Sequence, residues 1–401
     1  MKGCIVLGVQ GSPDIVDAPS LATLGPAARG VVRALLLGGP LTRAELARRL
    51  GLSPASLTKT ARPLLVSGLI SEGTALVSEQ RGRPGAPLVL DAARHQFIGV
   101  KLTADEIFAV RADARGRVEV SQSVQIESAE VTAVVAEIVA LVNEISGDHR
   151  IQALGIGLAG EQTRFDDTVR RNHYLGWDQV PLAPLVEEAT GIPTVLSGDA
   201  RALTAGVQWS GPGKGMSELA VLTVGVGIGL GIVLEDKVLS GPSGLVGMIG
   251  HHRISDSGPL CELGHRGCAS SYLTTAAITA AIGVPHGRVD IDLAQGCALA
   301  ADGDPVARRV LADAGRALGV IIAQLVNILG LPAVILAGDG LELLTYAEDS
   351  MQATLAEHLD PVARPPKVVA FTSGFDEWAR GAAVVACQWL LDPPRHRYTQ
   401  P

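Results

Sequence analysis

Residues 42–62 read Thr42-Arg-Ala-Glu-Leu-Ala-Arg-Arg-Leu-Gly-Leu-Ser-Pro-Ala-Ser-Leu-Thr-Lys-Thr-Ala-Arg62. Thr42 and Glu45 stand three apart, the spacing at which a threonine hydroxyl and a glutamate carboxylate reciprocally satisfy the free amides at a helix start. The helix so begun runs to Leu50 and stops at Gly51. Ser53 is a strong N-cap, and Pro54 takes the first helical position, where a missing N–H costs nothing. In the helix that follows, Leu57, Ala61, Leu64 and Leu65 form one apolar stripe, while Ala55, Ser56, Lys59 and Arg62 face away from it. Two short helices joined by a three-residue turn have the spacing of a DNA-reading helix-turn-helix. Pro63 falls late in the second helix on its outward side, where a kink is expected.

The flanks complete the motif. Gly30–Leu37 reads as an amphipathic helix ending at Gly38-Gly39-Pro40. After Gly68, residues 69–73 and 88–90 read as two strands around a basic loop that carries Arg81 and Arg83. Such a wing can reach a phosphate or a narrow minor groove. A winged helix-turn-helix is therefore expected over residues 26–90, with Thr42, Ser53, Ser56, Lys59, Thr60, Arg62, Arg81 and Arg83 as its DNA contacts.

The charge agrees. Residues 26–90 hold nine basic side chains (Arg29, Arg33, Arg43, Arg48, Arg49, Lys59, Arg62, Arg81, Arg83) against Glu45, Glu72 and Glu79. That is a surplus of six positive charges, and since the whole chain is −8, the remainder carries −14. A basic module on an acidic body suits a nucleic-acid reader, because phosphate neutralisation supplies most non-specific affinity. The competing reading is a three-helix protein–protein module whose arginines only solubilise it. If DNA is the partner, a double-stranded operator read as paired half-sites implies a homodimer or homotetramer.

The chain has 401 residues, enough for two or three domains. A composition of 47% hydrophobic and 18% charged residues is that of a globular α/β protein and excludes a disordered one. Aromatics are only 3%, so the core must be built from Ala, Leu, Val and Ile. Five cysteines do not make a disulfide framework in a chain this long, and a reducing cytoplasm is the simpler setting. The apolar run Cys4–Val9 is too short for a signal sequence, and no charge-free stretch of membrane-spanning length follows, so no membrane partner is expected. Residues 1–25 lack periodicity and read as an unstructured arm or an over-extended start.

From Gln96 onward, apolar strands with glycine-rich or polar exits alternate with helices, as in α/β lobes with ligand sites at strand ends. Gly155-Ile-Gly-Leu-Ala-Gly160, Leu175-Gly-Trp177, Gly198-Asp-Ala-Arg-Ala202, Gly225-Val-Gly-Ile-Gly-Leu-Gly231, Gly247-Met-Ile-Gly-His251, the segment Cys261 to Cys268, and Leu336-Ala-Gly-Asp-Gly340 follow one another in an order that resembles the ROK group of repressors, open-reading-frame proteins and sugar kinases. The resemblance spans about Pro26 to Leu391 and is to the regulator branch. It implies a two-lobed, actin-like (ribonuclease H-like) ATPase fold: one lobe of residues 91–205 joined by a C-terminal helix 376–391, the other of residues 206–375.

Several positions depart from the kinases of that group. Their Asp-x-Gly-Gly-Thr phosphate loop is matched here by Lys101-Leu-Thr-Ala-Asp105, which lacks both glycines and ends in a carboxylate. Val226 replaces the hydroxyl residue of the second loop. Asp199 matches the catalytic base, but three sugar-contacting positions beside it have become Gly198, Met248 and Ser270. The resemblance therefore implies no working catalytic residue beyond the remnant Asp199, with Asp199 and His251 left as contacts for a sugar or sugar-derived effector. In the zinc segment His251, Cys261 and Cys268 are in place, while Leu263 replaces a cysteine; His265 or His252 could supply the fourth ligand. The alternative there is a metal-free loop held by packing. Taken together, the expected protein is a regulator, most simply a repressor, of carbohydrate-related genes, with a sugar kinase and a regulator answering to a protein partner as alternatives.

Overall fold

The computed structural model describes residues 20–73, 86–162, 167–240 and 246–392, so Arg81, Arg83 and residues 1–19 lie outside the described residues. The chain divides into two compact units, residues 1–95 and 96–401.

The first unit contains α1 (Pro26–Gly38), α2 (Arg43–Leu50), α3 (Pro54–Val66), β1 (Ile70–Glu72) and β2 (Leu88–Leu90). Helix α1 begins four residues before the expected Gly30, because Pro26 supplies a first helical residue with φ already fixed. The chain is structured even earlier: Leu21 is fully buried, and the Arg29 guanidinium donates to the Ala22 carbonyl at 2.9 Å. Val31, Val32 and Leu35 from α1, Leu46 from α2 and Leu57, Ala61 and Leu64 from α3 make the core; Leu65, expected with them, is only half-buried. Strands β1 and β2 pair antiparallel with Ile70 opposite Leu90, and Leu88 also bridges to Leu41 ahead of α2.

The second unit runs β3 (Gln96–Leu102), β4 (Glu106–Asp113), β5 (Val118–Gln125), α4 (Val131–Ser146), β6 (Ile151–Leu158), β7 (Glu161–Gln162), β8 (Val169–Asn172), β9 (Trp177–Val180), α5 (Leu182–Thr190), β10 (Thr194–Gly198) and α6 (Asp199–Ser210). It continues with β11 (Leu219–Val224), β12 (Ile228–Leu234), β13 (Lys237–Val238), α7 (Ser270–Leu273), α8 (Thr275–Gly283), α9 (Leu293–Ala301), α10 (Pro305–Leu329), β14 (Ala333–Ala337), α11 (Leu344–His358), β15 (Lys367–Ala370) and α12 (Phe375–Leu391).

Two five-stranded sheets carry this unit, ordered β10-β6-β3-β4-β5 and β13-β12-β11-β14-β15. The topology is the same in both. The first three strands of each form an antiparallel meander, and the last two add in parallel beside the first strand. Helix α12 closes on the first sheet because glycines leave room for its backbone. A Cβ on Gly99 of β3 would lie 1.8 Å from the Ala379 carbonyl oxygen, and one on Gly155 of β6 would lie 2.0 Å from that of Ala382. The second sheet buries Leu222, Val224, Leu336 and Val334 against α10 and α11. Helix α10 is long and apolar enough to cross a membrane by length and composition, yet Leu311, Leu318 and Ile322 along it are fully buried in this core.

Candidate functional site

The outward face of α3 follows from how the helix is started. Ser53 accepts the Ser56 amide at 3.1 Å, and the two hydroxyls bond each other at 2.9 Å. In α2 the capping box is complete: Glu45 N–H donates to the Thr42 hydroxyl at 3.3 Å, and the Glu45 carboxylate accepts both the Thr42 amide and hydroxyl at 2.8 Å. Those bonds hold the Glu45 carboxyl below its ordinary pKa, the backbone bond contributing most. Ala55, Ser56, Thr58, Lys59 and Arg62 are exposed, and Pro54, Ala55, Thr58, Lys59, Arg62 and Pro63 line one shallow depression along the helix. The helix continues through Pro63 to Val66. Thr42 and Thr60 are less available than expected: the former spends its hydroxyl on Glu45, and the latter donates to the Ser56 carbonyl at 3.0 Å.

In the body, Asp199 opens α6 at the exit of β10, and its partner is Lys101 at the end of β3. Lys101 Nζ stands 2.7 Å from Asp199 Oδ2, with the lysine side chain 6% and the aspartate 21% exposed. Trp378 and Phe375 of α12 flank the ammonium, their ring centroids 5.4 and 6.0 Å away. Asp199 Oδ1 is buried with no hydrogen-bond partner among the described residues. The sequence comparison singled out Lys101 only as part of an altered loop; its pairing with a residue almost a hundred positions away had no local signal.

Both glycine-loop positions are occupied by the protein's own groups. The Thr103 hydroxyl accepts the Glu106 amide at 2.9 Å and donates to Asp105 Oδ1, also 2.9 Å away, so the β3–β4 turn satisfies itself. At the second loop a Cβ on Gly225 would sit 1.7 Å from Asp339 Oδ1, which places that carboxylate against the loop. Val226 and Met248 are exposed, and the Ser270 hydroxyl faces Glu262 Oε2 at 3.3 Å.

His251, Cys261, His265 and Cys268 offer four ligand atoms within 4.8 Å of one another. The donor set is therefore four, not the three read from the segment alone, and His265 is the fourth; His252 instead meets Gln324 at 2.7 Å. A tetrahedral zinc with bonds of about 2.3 Å to sulfur and about 2.0 Å to nitrogen requires an N···S edge of about 3.6 Å. Cys261 Sγ and His251 Nδ1 are 3.6 Å apart. The other nitrogen, Nε2, faces Glu262 Oε1 at 3.5 Å, the outer carboxylate that commonly orients a metal-bound imidazole. Burial, with Cys261 beside it, pushes the Cys268 thiol up. The residues present fit a zinc ion. Glu262 was missed by sequence reasoning, although its place next to Cys261 was the available signal.

Two sheets of one topology, with an aspartate-headed helix at a strand exit and a Cys/His cluster on the connecting loops, define the class of protein: the actin-like fold of sugar kinases and their regulatory relatives. The ROK family profile matches residues 97–388, and the chain belongs to that family. It is 25% identical over 342 residues to the DNA-binding transcriptional repressor Mlc of Escherichia coli K12, covering 82% of this chain and 83% of that protein. A crystal structure of a ROK family transcriptional regulator described as a homologue of Mlc superimposes with a TM-score of 0.78 at 26% identity, over 92% of this chain and 96% of its own. A ROK glucokinase from Streptomyces griseus, in complex with glucose and AMPPNP, gives a TM-score of 0.62 at 29% identity, over 73% of this chain and 99% of its own.

Proposed function

We propose that this protein is a DNA-binding transcriptional repressor of carbohydrate-related genes, whose body has given up phosphoryl transfer and serves assembly and effector sensing. The observation that carries this reading is coverage. The glucokinase is matched over 99% of its length yet leaves about a quarter of this chain without a counterpart, whereas the regulator spans 92% of it. That difference is the size of the N-terminal unit, which carries α3 and the positive surplus. In a winged helix-turn-helix over residues 26–90, Ser56, Thr60 and Arg62 of α3 would face the major groove and Lys59 a phosphate at its edge, with Arg81 and Arg83 proposed as wing contacts and Thr42 and Ser53 as caps beside the backbone. Two copies reading paired half-sites make the functional unit a homodimer or a pair of dimers.

In the body, the Lys101 ammonium beside Asp199 and the Asp339 carboxylate against the glycine loop both oppose ATP chemistry. A general base must be free to take a proton, and a triphosphate needs donors rather than carboxylates. Asp199, 21% exposed, is the carboxylate left to meet an effector hydroxyl. His251, expected beside it as a second effector contact, has both ring nitrogens turned to Cys261 and Glu262 and is better read as a metal ligand. Zinc held by His251, Cys261, His265 and Cys268 would brace the loop that leads into α7. The proposed lobe boundary near residue 205 falls inside α6 (Asp199–Ser210), and α12 packs on the first sheet.

Selection of bound genomic fragments tests the reading, followed by gel shifts with a panel of sugars and sugar phosphates. A discrete fragment, bound by the free protein and released by one compound, is the expected result. ATP turnover with any hexose, abolished by Asp199→Asn, would show that the protein is a kinase instead.

A further inference from the structure

The outer face of α3 is unusual in what it withholds. From Pro54 to Val66 the helix contains no Asn, Gln, Asp or Glu, so it carries neither the amide that reads adenine bidentately nor the carboxylate that accepts from cytosine. Its threonine hydroxyls are spent at home, and Ser56 already accepts from its neighbour. Thr58 donates to the Pro54 carbonyl at 2.9 Å, Thr60 to that of Ser56 at 3.0 Å, and Ser53 and Ser56 bond each other. Apart from Ser56, which does not line the depression, what remains exposed at the start of the helix, the end that meets base edges in a helix-turn-helix, is hydrocarbon: the Pro54 ring, Ala55 Cβ and the Thr58 methyl. These line the same depression as Lys59 and Arg62, one helical turn further on. Ala55, Thr58, Lys59 and Arg62 recur at intervals of three and four and so share one face.

The cationic end of such a depression can meet phosphate or guanine, but its apolar end finds a complement in a DNA major groove only where the groove itself offers an apolar group. Among the four bases only thymine does, through its C5 methyl. We infer that α3 reads thymine by its methyl group, with Ala55 and Thr58 enclosing methyls on neighbouring base pairs while Lys59 and Arg62 supply the charge. The inference rests on the DNA-binding reading above and adds the chemical feature of the operator that this chain selects.

The test uses the full-length protein and a duplex recovered by selection from randomised 20-base-pair cores. Each thymine is replaced in turn by deoxyuridine, which removes the methyl and leaves every base-edge hydrogen bond unchanged. Binding weaker by about fourfold, the worth of one buried methyl group, is expected at two neighbouring positions in each half-site. Thr58→Ser keeps the hydroxyl bond to Pro54 and removes only the methyl. It should abolish the deoxyuridine effect at one of the two positions and leave the other.

Equal affinity for every deoxyuridine duplex would overturn the inference while leaving DNA binding intact. A deoxyuridine effect that Thr58→Ser does not touch would also overturn it, since the methyl would then be read elsewhere. If no duplex is enriched in the selection, the DNA-binding reading itself fails and takes this one with it.

Discussion

Lys101 and Asp199 form a close ion pair between the end of β3 and the start of α6. The pair is mostly shielded from water, so its members depend on each other: a buried charge that loses its partner costs about 3–5 kcal/mol. Lys101→Met should therefore lower the stability of the body by about 3 kcal/mol in chemical unfolding, and the double variant Lys101→Met/Asp199→Asn should recover part of that loss. Additive losses from the two substitutions would mean the residues do not act as a pair. His286 offers a second measurement at this scale. Its Nδ1 lies 2.8 Å from the Ile282 carbonyl and its Nε2 2.9 Å from Asp304 Oδ2, so both ring nitrogens meet acceptors and both bonds form only when the ring carries both protons. The backbone bond, then the carboxylate, raises the His286 pKa, while bonds from the Ala307 amide and His286 lower that of Asp304. The imidazolium's contribution is complete below the ordinary histidine value of about 6.5 and is lost as pH rises through the raised folded value. The aspartate's contribution is present above the ordinary carboxylate range and lost as pH falls through its lowered value. Thermal unfolding of wild type and His286→Ala should thus differ most near pH 5–6 and converge above the raised histidine value; a constant difference across that range would contradict the linkage.

At the scale of elements, α2 and α3 of the N-terminal unit were legible because their signals are local. Caps, the turn glycine and the apolar stripe each sit within a few residues of the element they specify, and α2 and α3 fall where Thr42, Ser53 and Pro54 place them. The body was legible in order but not in contact. Nothing in the sequence near Gly99 or Gly155 announces that α12 will lie against them, since that need arises from a helix more than two hundred residues away. His265 as fourth ligand was one of two candidates that spacing alone could not separate; the loop's fold brings it to the cluster and sends His252 to Gln324. Two outcomes follow for elements. Removal of zinc by a strong chelator should lower the unfolding temperature of the body, and His265→Ala should reduce both the metal content found by mass spectrometry and the size of that shift. In α3, Pro63 deprives the Lys59 carbonyl of its helical donor, a loss that costs up to about 3 kcal/mol in a helix interior. Pro63→Ala should therefore stabilise the N-terminal unit by about 1–3 kcal/mol in calorimetry, and an unchanged transition would mean that the helix end has already relaxed around the proline.

Across the whole molecule, charge is what distinguishes the two units: six surplus positive charges in residues 26–90 against −14 elsewhere. An acidic body is repelled by a duplex, so the attraction must come from a small number of arginines and lysines in the N-terminal unit, and removing any one of them should be visible. Each phosphate neutralised contributes about −0.9 to the slope of log affinity against log salt. Lys59→Ala, and separately Arg83→Ala, should weaken operator binding and reduce that slope by about 1 for each DNA-bound protomer. A phosphate contact carries no sequence information, so each variant should lose affinity equally for operator and for unrelated duplex, with their ratio unchanged. That distinguishes these two substitutions from Thr58→Ser, which should change the ratio and leave the slope alone. Anisotropy titrations between 50 and 200 mM salt, a range over which counterion release alters affinity by orders of magnitude, separate the two behaviours. Slopes that stay at the wild-type value in both Lys59→Ala and Arg83→Ala would mean that another face of the N-terminal unit meets the DNA.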